Sequence, residues 1–313
     1  LIRYLCFLVL LGGVATAHAA SPGSDQLSSE VGFGVEEQTS PLVQISPQGA
    51  LINLPGLNRL AGSSARAALS GLAEHSLGET TSLTLAGDAS VKRSQNAPDL
   101  DLMMLSAQPA AHWVLGRTSL GLGVNWQRID VARARFRESH GVHADVLLPQ
   151  GEHFWTAMTE VNRYEHRGDL SFMNARSTTV MMQRHQAKPA AGIDALDISV
   201  FAGREHNDRG LRELSNRSLL INTAIAGSLP DVLWPEVSWS AAFGWQQVRF
   251  DDTAFAEEPV RRDLAATLDL GIEFPLNESN ALRVDYTQMR NRSTSRLYLN
   301  RYQQLTVTLR THW

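Results

Sequence analysis

The sequence predicts an all-β chain, an antiparallel transmembrane β-barrel of about 14 strands in the size range of bacterial barrels. Three observations lead there. The closing segment YQQLTVTLRTHW alternates strictly: Leu305, Val307, Leu309, Thr311 and Trp313 share one face, and Thr306, Thr308, Arg310 and His312 share the other. A period of two puts one face against an apolar medium and the other against a polar one. Similar segments recur along the chain. The connections between them alternate long and charged with short and turn-like.

The start, LIRYLCFLVLLGGVATAHAA, has the form of a secretory signal. Arg3 supplies the positive end, Leu5 to Val14 a short apolar run, and Ala17-His18-Ala19 a small-x-small cleavage site. Leu1 in place of Met suggests a non-standard start or a slightly shortened record. The run is too short to span a bilayer as a helix. The expected layout is a signal over 1–19, a short polar leader over 20–27 and a barrel over 28–313. Cys6 lies within the signal, so the mature chain is expected to hold no disulfide and no thiolate–metal chemistry.

The strands follow in order. Val31, Phe33 and Val35 share a face in the first. Leu120, Leu122, Val124 and Trp126 oppose Ser119, Gly121, Gly123 and Asn125. Trp155, Ala157, Thr159 and Val161 oppose Thr156, Met158, Glu160 and Asn162. Leu196, Ile198, Val200 and Ala202 oppose Asp197 and Ser199. Val237 to Trp245, Leu264 to Phe274 and Leu282 to Tyr286 repeat the pattern. Weaker strands fill 65–75, 79–88, 100–115, 141–149, 177–186 and 217–227. The Ala-rich stretch 65–75 also fits a helix.

Loop parity is an independent signal. If the first strand runs outward, the outer connections are 38–64, DASVKRSQNAPD, DVARARFRESH, RYEHRGDLSFMN, REHNDRGLRELSN, FDDTAFAEEPVRR and RNRSTSRLYLNR. The inner ones are EHSLGE, Gly116-Arg117, PQGE, KPAAG, SLPDVLWPE and PLNESN. Transmembrane barrels keep tight periplasmic turns and long surface loops. A soluble sandwich has no reason for such parity. Trp113, Trp126, Trp155, Trp234, Trp239, Trp245 and Trp313 lie on or beside strands and suit interfacial girdles, or core packing in a sandwich. The terminal Trp313 fits the signal by which the barrel assembly machinery recognises a last strand.

The bulk composition excludes other classes. The net charge is −4, and losing Arg3 makes it more negative, which disfavours a nucleic-acid partner. Arg supplies nearly all positive charge, the lysines being Lys92 and Lys188. No nucleophile elbow, zinc-protease motif, P-loop or Cys pair is present, so no enzyme and no cofactor are expected. A barrel lipase with its triad at the lipid face is the alternative. His140, His143 and His153 approach a metal-ligand spacing but lack a fourth ligand, and are read as rim histidines.

Over 260–313 the chain resembles the barrel domain of the surface lipoprotein assembly modifier family and related repeat-linked barrels. The matching residues are Arg261, Arg262 and Asp263 opening LAATLDLGIEF, then Tyr286, Asn291, Ser293, Tyr298, Asn300 and Arg301 in the last hairpin. Barrels of that family follow a periplasmic repeat domain, and their last residue is more commonly Phe than Trp. The resemblance implies export of a protein or lipoprotein client to the surface, with a separate periplasmic repeat protein as partner and outer-membrane lipid as solvent.

The alternation points Glu160, Asp197, Asp269, Glu273, Arg283, Asp285 and Arg310 into the lumen. Such charges either tune solute passage or pair across neighbouring strands and fill the barrel. Three functions compete: an export barrel, a small-solute channel, and a surface-binding barrel working through its outer loops.

Overall fold

The computed structural model describes residues 26–38, 43–44, 51–52, 62–95, 101–229, 237–253, 259–295 and 300–312. The expected signal, Trp234, Tyr298 and Trp313 lie outside the described residues. The strands are β1 (Gln26–Gln38), β2 (Val43–Gln44), β3 (Leu51–Ile52), β4 (Gly62–Ser76), β5 (Thr81–Ser94), β6 (Leu102–Leu115), β7 (Thr118–Val131) and β8 (Ala134–Gln150). They continue with β9 (His153–His166), β10 (Ala175–Ala190), β11 (Ile193–Asn207), β12 (Asn216–Ser228), β13 (Ser238–Phe250), β14 (Arg262–Pro275), β15 (Asn280–Ser293) and β16 (Asn300–His312). A 3-10 helix, Gly168–Met173, follows β9. No helix among the described residues is long and apolar enough to cross a membrane.

β1 and β4 to β16 form one closed barrel of 14 strands, each hydrogen-bonded to its sequence neighbour, with β1 also paired to β16. All pairings are antiparallel, and β2–β3 is a separate two-stranded piece in the first outer connection. The closing seam runs from Glu30↔His312 to Gln38↔Gln304. It is tight. A Cβ at Gly34 would collide with the Val307 carbonyl oxygen and with Thr308, so glycine is required where β1 meets β16. Strands about 4.8 Å apart and tilted by about 40° close at a wall radius of about 14 Å for this strand number.

The two faces differ as the alternation requires. Phe33, Val35, Leu85, Leu122, Val142, Val180, Phe243 and Leu270 are large, apolar and exposed on the exterior. On β14 the outward set runs from Leu264 to Phe274. At about 3.3 Å per residue and the same tilt, that is a band about 25 Å tall, the apolar height of an outer-membrane barrel. Trp113, Trp155 and Trp239 lie toward the inner end of this band, on β6, β9 and β13. Trp126 and Trp245 are the last apolar outward residues before Arg128 and Gln247 at its outer end. The inward face is polar. A closed barrel with this exterior satisfies every ladder hydrogen bond within itself and is soluble only in a bilayer. The chain is an outer-membrane β-barrel.

Loop parity holds, with one correction. DVARARFRESH is not a long outer loop. Ala132 and Arg133, with φ of 51° and 64°, turn the chain directly from β7 into β8. Two positive φ values suit the twist of a two-residue hairpin. The charged residues around this turn are strand residues extending beyond the band. The inner connection 229–237 is the long one on its side. The Ala-rich 65–75 stretch is strand, lying within β4, and β1 begins at Gln26, inside the expected leader.

The two faces give a paired test. Leu268→Arg puts a charge in the exterior band and should cost about 2–4 kcal/mol of folding free energy in lipid. Thr267→Arg points at water and at Asp269, and should fold within about 1 kcal/mol of the parent. Urea titration in lipid vesicles measures both; equal damage would contradict the assignment of faces.

Candidate functional site

Among the described residues, the lumen wall carries a paired network, a set of carboxylates that outnumber the remaining bases, and the basic residues Arg66 and Lys92, which stand opposite each other on β4 and β5. Toward the inner end of β14, β15 and β16, opposite charges neutralise each other. The Arg283 Nε donates to both oxygens of Asp285 at 2.8 and 3.0 Å, and the Arg283 guanidinium lies 3.7 Å from Glu273. Arg310 donates to the same Glu273, and Arg283 reaches Ser240 Oγ at 3.3 Å. Gly271 gives them room: a Cβ there would lie 2.6 Å from Ser240 Oγ and 2.7 Å from an Arg283 nitrogen. Four of the charges expected in the lumen thus form one network spanning three strands.

The carboxylate set lacks that compensation. Asp269 accepts from Thr287 Oγ1 at 2.6 Å. Glu160 accepts from Asn125, which also donates to Asn162 Oδ1 at 2.7 Å. Asp197 accepts from Gln183 at 2.9 Å and lies 3.0 Å from His185 Nδ1, whose ring stacks on Phe154 at 4.4 Å. Two further carboxylates were not among the sequence candidates. Asp88 accepts from Ser106 Oγ at 3.0 Å, and Asp145 projects from β8 toward Gly121 of β7. Alternation within β5 and β8 is the signal that would have found them. Among the described residues, none of Asp88, Asp145, Glu160, Asp197 and Asp269 has an ion pair with Arg or Lys.

The outer end of β8 to β12 is capped. Asn207, 1% exposed, donates to the Phe172 and Asn174 carbonyls at 2.6 and 3.1 Å. Its oxygen accepts from the Arg209 N–H at 2.9 Å, and the Ser215 hydroxyl accepts from its backbone N–H at 3.1 Å. Below this lid, Arg137 stacks over Tyr164 at 4.8 Å and donates to Gln127 at 3.0 Å, while Tyr164 and Ser177 hydroxyls meet at 2.9 Å. The 3-10 helix and the 208–215 connection are therefore tied to strand ends by buried polar groups, which is costly to undo.

The hairpin residues behind the family resemblance divide between faces. Arg261 is buried, chelates Asp263 at 3.1 and 3.0 Å through Nε and stacks on Phe250 at 4.3 Å. Asn291 is buried on the lumen side, opposite Asn300 on β16. Arg262 and Tyr286 lie on outward positions, Arg301 stands opposite Arg290, and Ser293 pairs with Asp263. His140 faces outward and is exposed, whereas His143, an odd number of residues away, faces the lumen, and His153 starts β9 at the inner end. The three do not converge. Among the described residues no group of three or more His, Cys, Asp or Glu is placed to hold a metal ion.

With this geometry the chain can be set beside known proteins. No protein-family model matches it, and no curated protein does. Solved outer-membrane structures are similar in architecture. OmpT of Vibrio cholerae, in its in-vitro folded trimer form, has 10% identity and a TM-score of 0.46, covering 94% of this chain and 100% of that one. OccK5 (OpdH) of Pseudomonas aeruginosa has 9% identity and a TM-score of 0.43, covering 92% and 98%. OccAB4 of Acinetobacter baumannii has 7% identity and a TM-score of 0.46, covering 93% and 98%.

Asp101, in the outer connection before β6, supplies a pH test. Burial raises its pKa, but the Arg93 hydrogen bond at 2.7 Å, the Ser94 N–H at 2.9 Å and the charges of Arg93 and Arg133 outweigh burial and hold it below the ordinary 3.8. A depressed folded pKa contributes stability that is complete above the unfolded value and lost as pH falls through the folded one. Asp101→Asn should therefore speed protease cleavage of the 95–101 connection at pH 7. The difference from the parent should shrink as the pH falls below the ordinary carboxylate value of about 3.9, followed with an acid-active protease. A difference that did not change with falling pH would contradict the pairing.

Proposed function

We propose that this barrel is a channel for small hydrophilic solutes with a preference for cations. The observation that carries the reading is the set of lumen carboxylates on β5, β8, β9, β11 and β14 that have no Arg or Lys partner among the described residues. Rings of one sign in a water-filled lumen concentrate counter-ions and repel co-ions. The Arg283–Glu273–Arg310–Asp285 network does not offset them, because it is already paired. The extensive strand contacts are all between neighbours in the ring, which suits a lumen kept between the opposed walls. Eight strands fill their interior with side chains and 16–18 leave a wide aqueous pore; 14 falls between, which suits solutes rather than folded domains. The role is passage, with no reaction step.

Export of a protein or lipoprotein client, the role implied by the resemblance over 260–313, makes the opposite demand on the same lumen. It needs a periplasmic partner to deliver the client, and it does not need steady ion flow.

Planar-bilayer recording separates the two. Under a KCl gradient the parent channel should conduct, with a reversal potential on the potassium side. Glu160→Gln with Asp269→Asn should move that potential toward zero by at least a third while leaving folding intact. Absence of conductance, or an anion preference, would overturn the channel reading and leave export as the one to pursue.

A further inference from the structure

The outer end of the barrel exterior carries a ladder of arginines that the channel reading does not use. Arg163 on β9 stands directly opposite Arg176 on β10. Arg204 on β11 stands opposite Arg217 on β12, Arg217 opposite Arg249 on β13, and Arg249 opposite Arg262 on β14. Arg290 on β15 then faces Arg301 on β16. All are on outward positions and all are exposed. Residues directly opposite on one sheet face lie about 4.5–5.5 Å apart, and like charges so placed destabilise the sheet. The chain nevertheless repeats the arrangement on every strand from β9 to β16.

Acidic partners cover only part of it. Arg163 meets Glu165 at 3.1 Å and Arg176 meets Asp208 at 3.4 Å. Arg204 and Arg217 share Asp251 at 4.0 and 3.8 Å. Arg249, Arg262, Arg290 and Arg301 have no ion pair among the described residues. Glu257 and Glu258, in the same connection of the sequence as Asp251, would still leave a surplus of arginine. The other side of the barrel is different: Arg93 is held by Asp101 and Arg128 by Asp130, both at 2.7 Å. The surplus is therefore one-sided, along the β13–β16 wall.

Its height identifies the occupant. Toward the membrane, Leu264 directly follows Arg262 on β14, while one glutamine, Gln247 on β13, Gln288 on β15 and Gln303 on β16, separates the arginine from Trp245, Tyr286 and Leu305 at the edge of the apolar band. A ligand of this wall must present anionic groups at the arginines, polar groups beside the glutamines and hydrocarbon one strand position further down. A free anion meets the first condition alone; a phosphorylated lipid meets all three. Guanidinium groups also bind phosphate through paired N–H donors, which Lys cannot match. We propose that the β13–β16 exterior binds the phosphate groups of an outer-leaflet glycolipid, which relieves the arginine repulsion and fixes the barrel's depth.

The test uses the folded full chain in detergent micelles, with bisphosphorylated lipid A, the same lipid stripped of phosphate, and inorganic phosphate as probes, read by native mass spectrometry. The phosphorylated lipid should bind about ten-fold or more tightly than the stripped one. Arg249→Gln with Arg262→Gln, and separately Arg290→Gln with Arg301→Gln, should each lose about ten-fold in affinity, while heat-modifiable mobility and conductance stay at parent values. Equal binding of the two lipids, or parent affinity in both double variants, would overturn the proposal. So would full displacement of the lipid by millimolar inorganic phosphate, which would mark a free-anion site.

Discussion

Everything in this molecule depends on the pairing of β1 with β16. In hydrocarbon there is no water to satisfy an open strand edge, and each unpaired backbone group there costs several kcal/mol. Closure removes both edges at once. The seam is made between the first and last strands of the barrel, so the free edges of β1 and β16 stay unsatisfied until these two strands meet. Gly34 shows how tightly the two strands approach, because any side chain there would strike Val307 and Thr308. Closure also defines the inside. Once the ring is shut, alternate residues face either lipid or a shared aqueous lumen, and the chemistry of each face follows.

That division explains why a chain with so many charges can live in a membrane. Charged groups occur in three places: on the lumen wall, at the outer rim, and in the connections. In the lumen, Glu273, Arg283, Asp285 and Arg310 satisfy one another, while Asp269, Glu160 and Asp197 accept from Thr287, Asn125 and Gln183. At the rim, buried polar contacts around Asn207 and Arg137 anchor the 3-10 helix over one part of the mouth. On the exterior, Arg128 and Arg262 come directly after Trp126 and Leu264, and Arg249 comes one outward position beyond Trp245, after Gln247. Each placement reflects the same rule, that a charge is kept where water, a partner or a headgroup can reach it.

Much of this was legible in the sequence because a period of two is a local property. The lipid-facing and lumen-facing sets of β14, β15 and β16 follow from counting along Leu264 to Phe274 and Leu305 to Leu309, and the inward placement of Asp269 and Arg310 comes with them. Turn positions such as Gly116-Arg117 follow from turn chemistry. The β7–β8 connection did not, because outward charges at strand ends beyond the apolar band look like loop residues: Arg128, Arg135 and Glu138 are strand residues here. Cross-strand register is not local at all. Nothing along the chain says that Arg249 faces both Arg217 and Arg262, or that Asp145 sits beside the space left by Gly121. The acidic surplus of the lumen and the arginine ladder outside are properties of that register.

The central claim is that one closed wall separates lipid from water with a period of two. Cys6 is the single cysteine and lies in the expected signal, so cysteines can be introduced one at a time without interference. The direct measurement is a scan of β14 from Ala265 to Leu270 in the protein reconstituted into vesicles, using a charged, membrane-impermeant maleimide. Cysteines at 265, 267 and 269 should label from the lumen, and cysteines at 266, 268 and 270 should stay unlabelled until detergent is added. Labelling of all six at similar rates, or a pattern without the alternation, would contradict it.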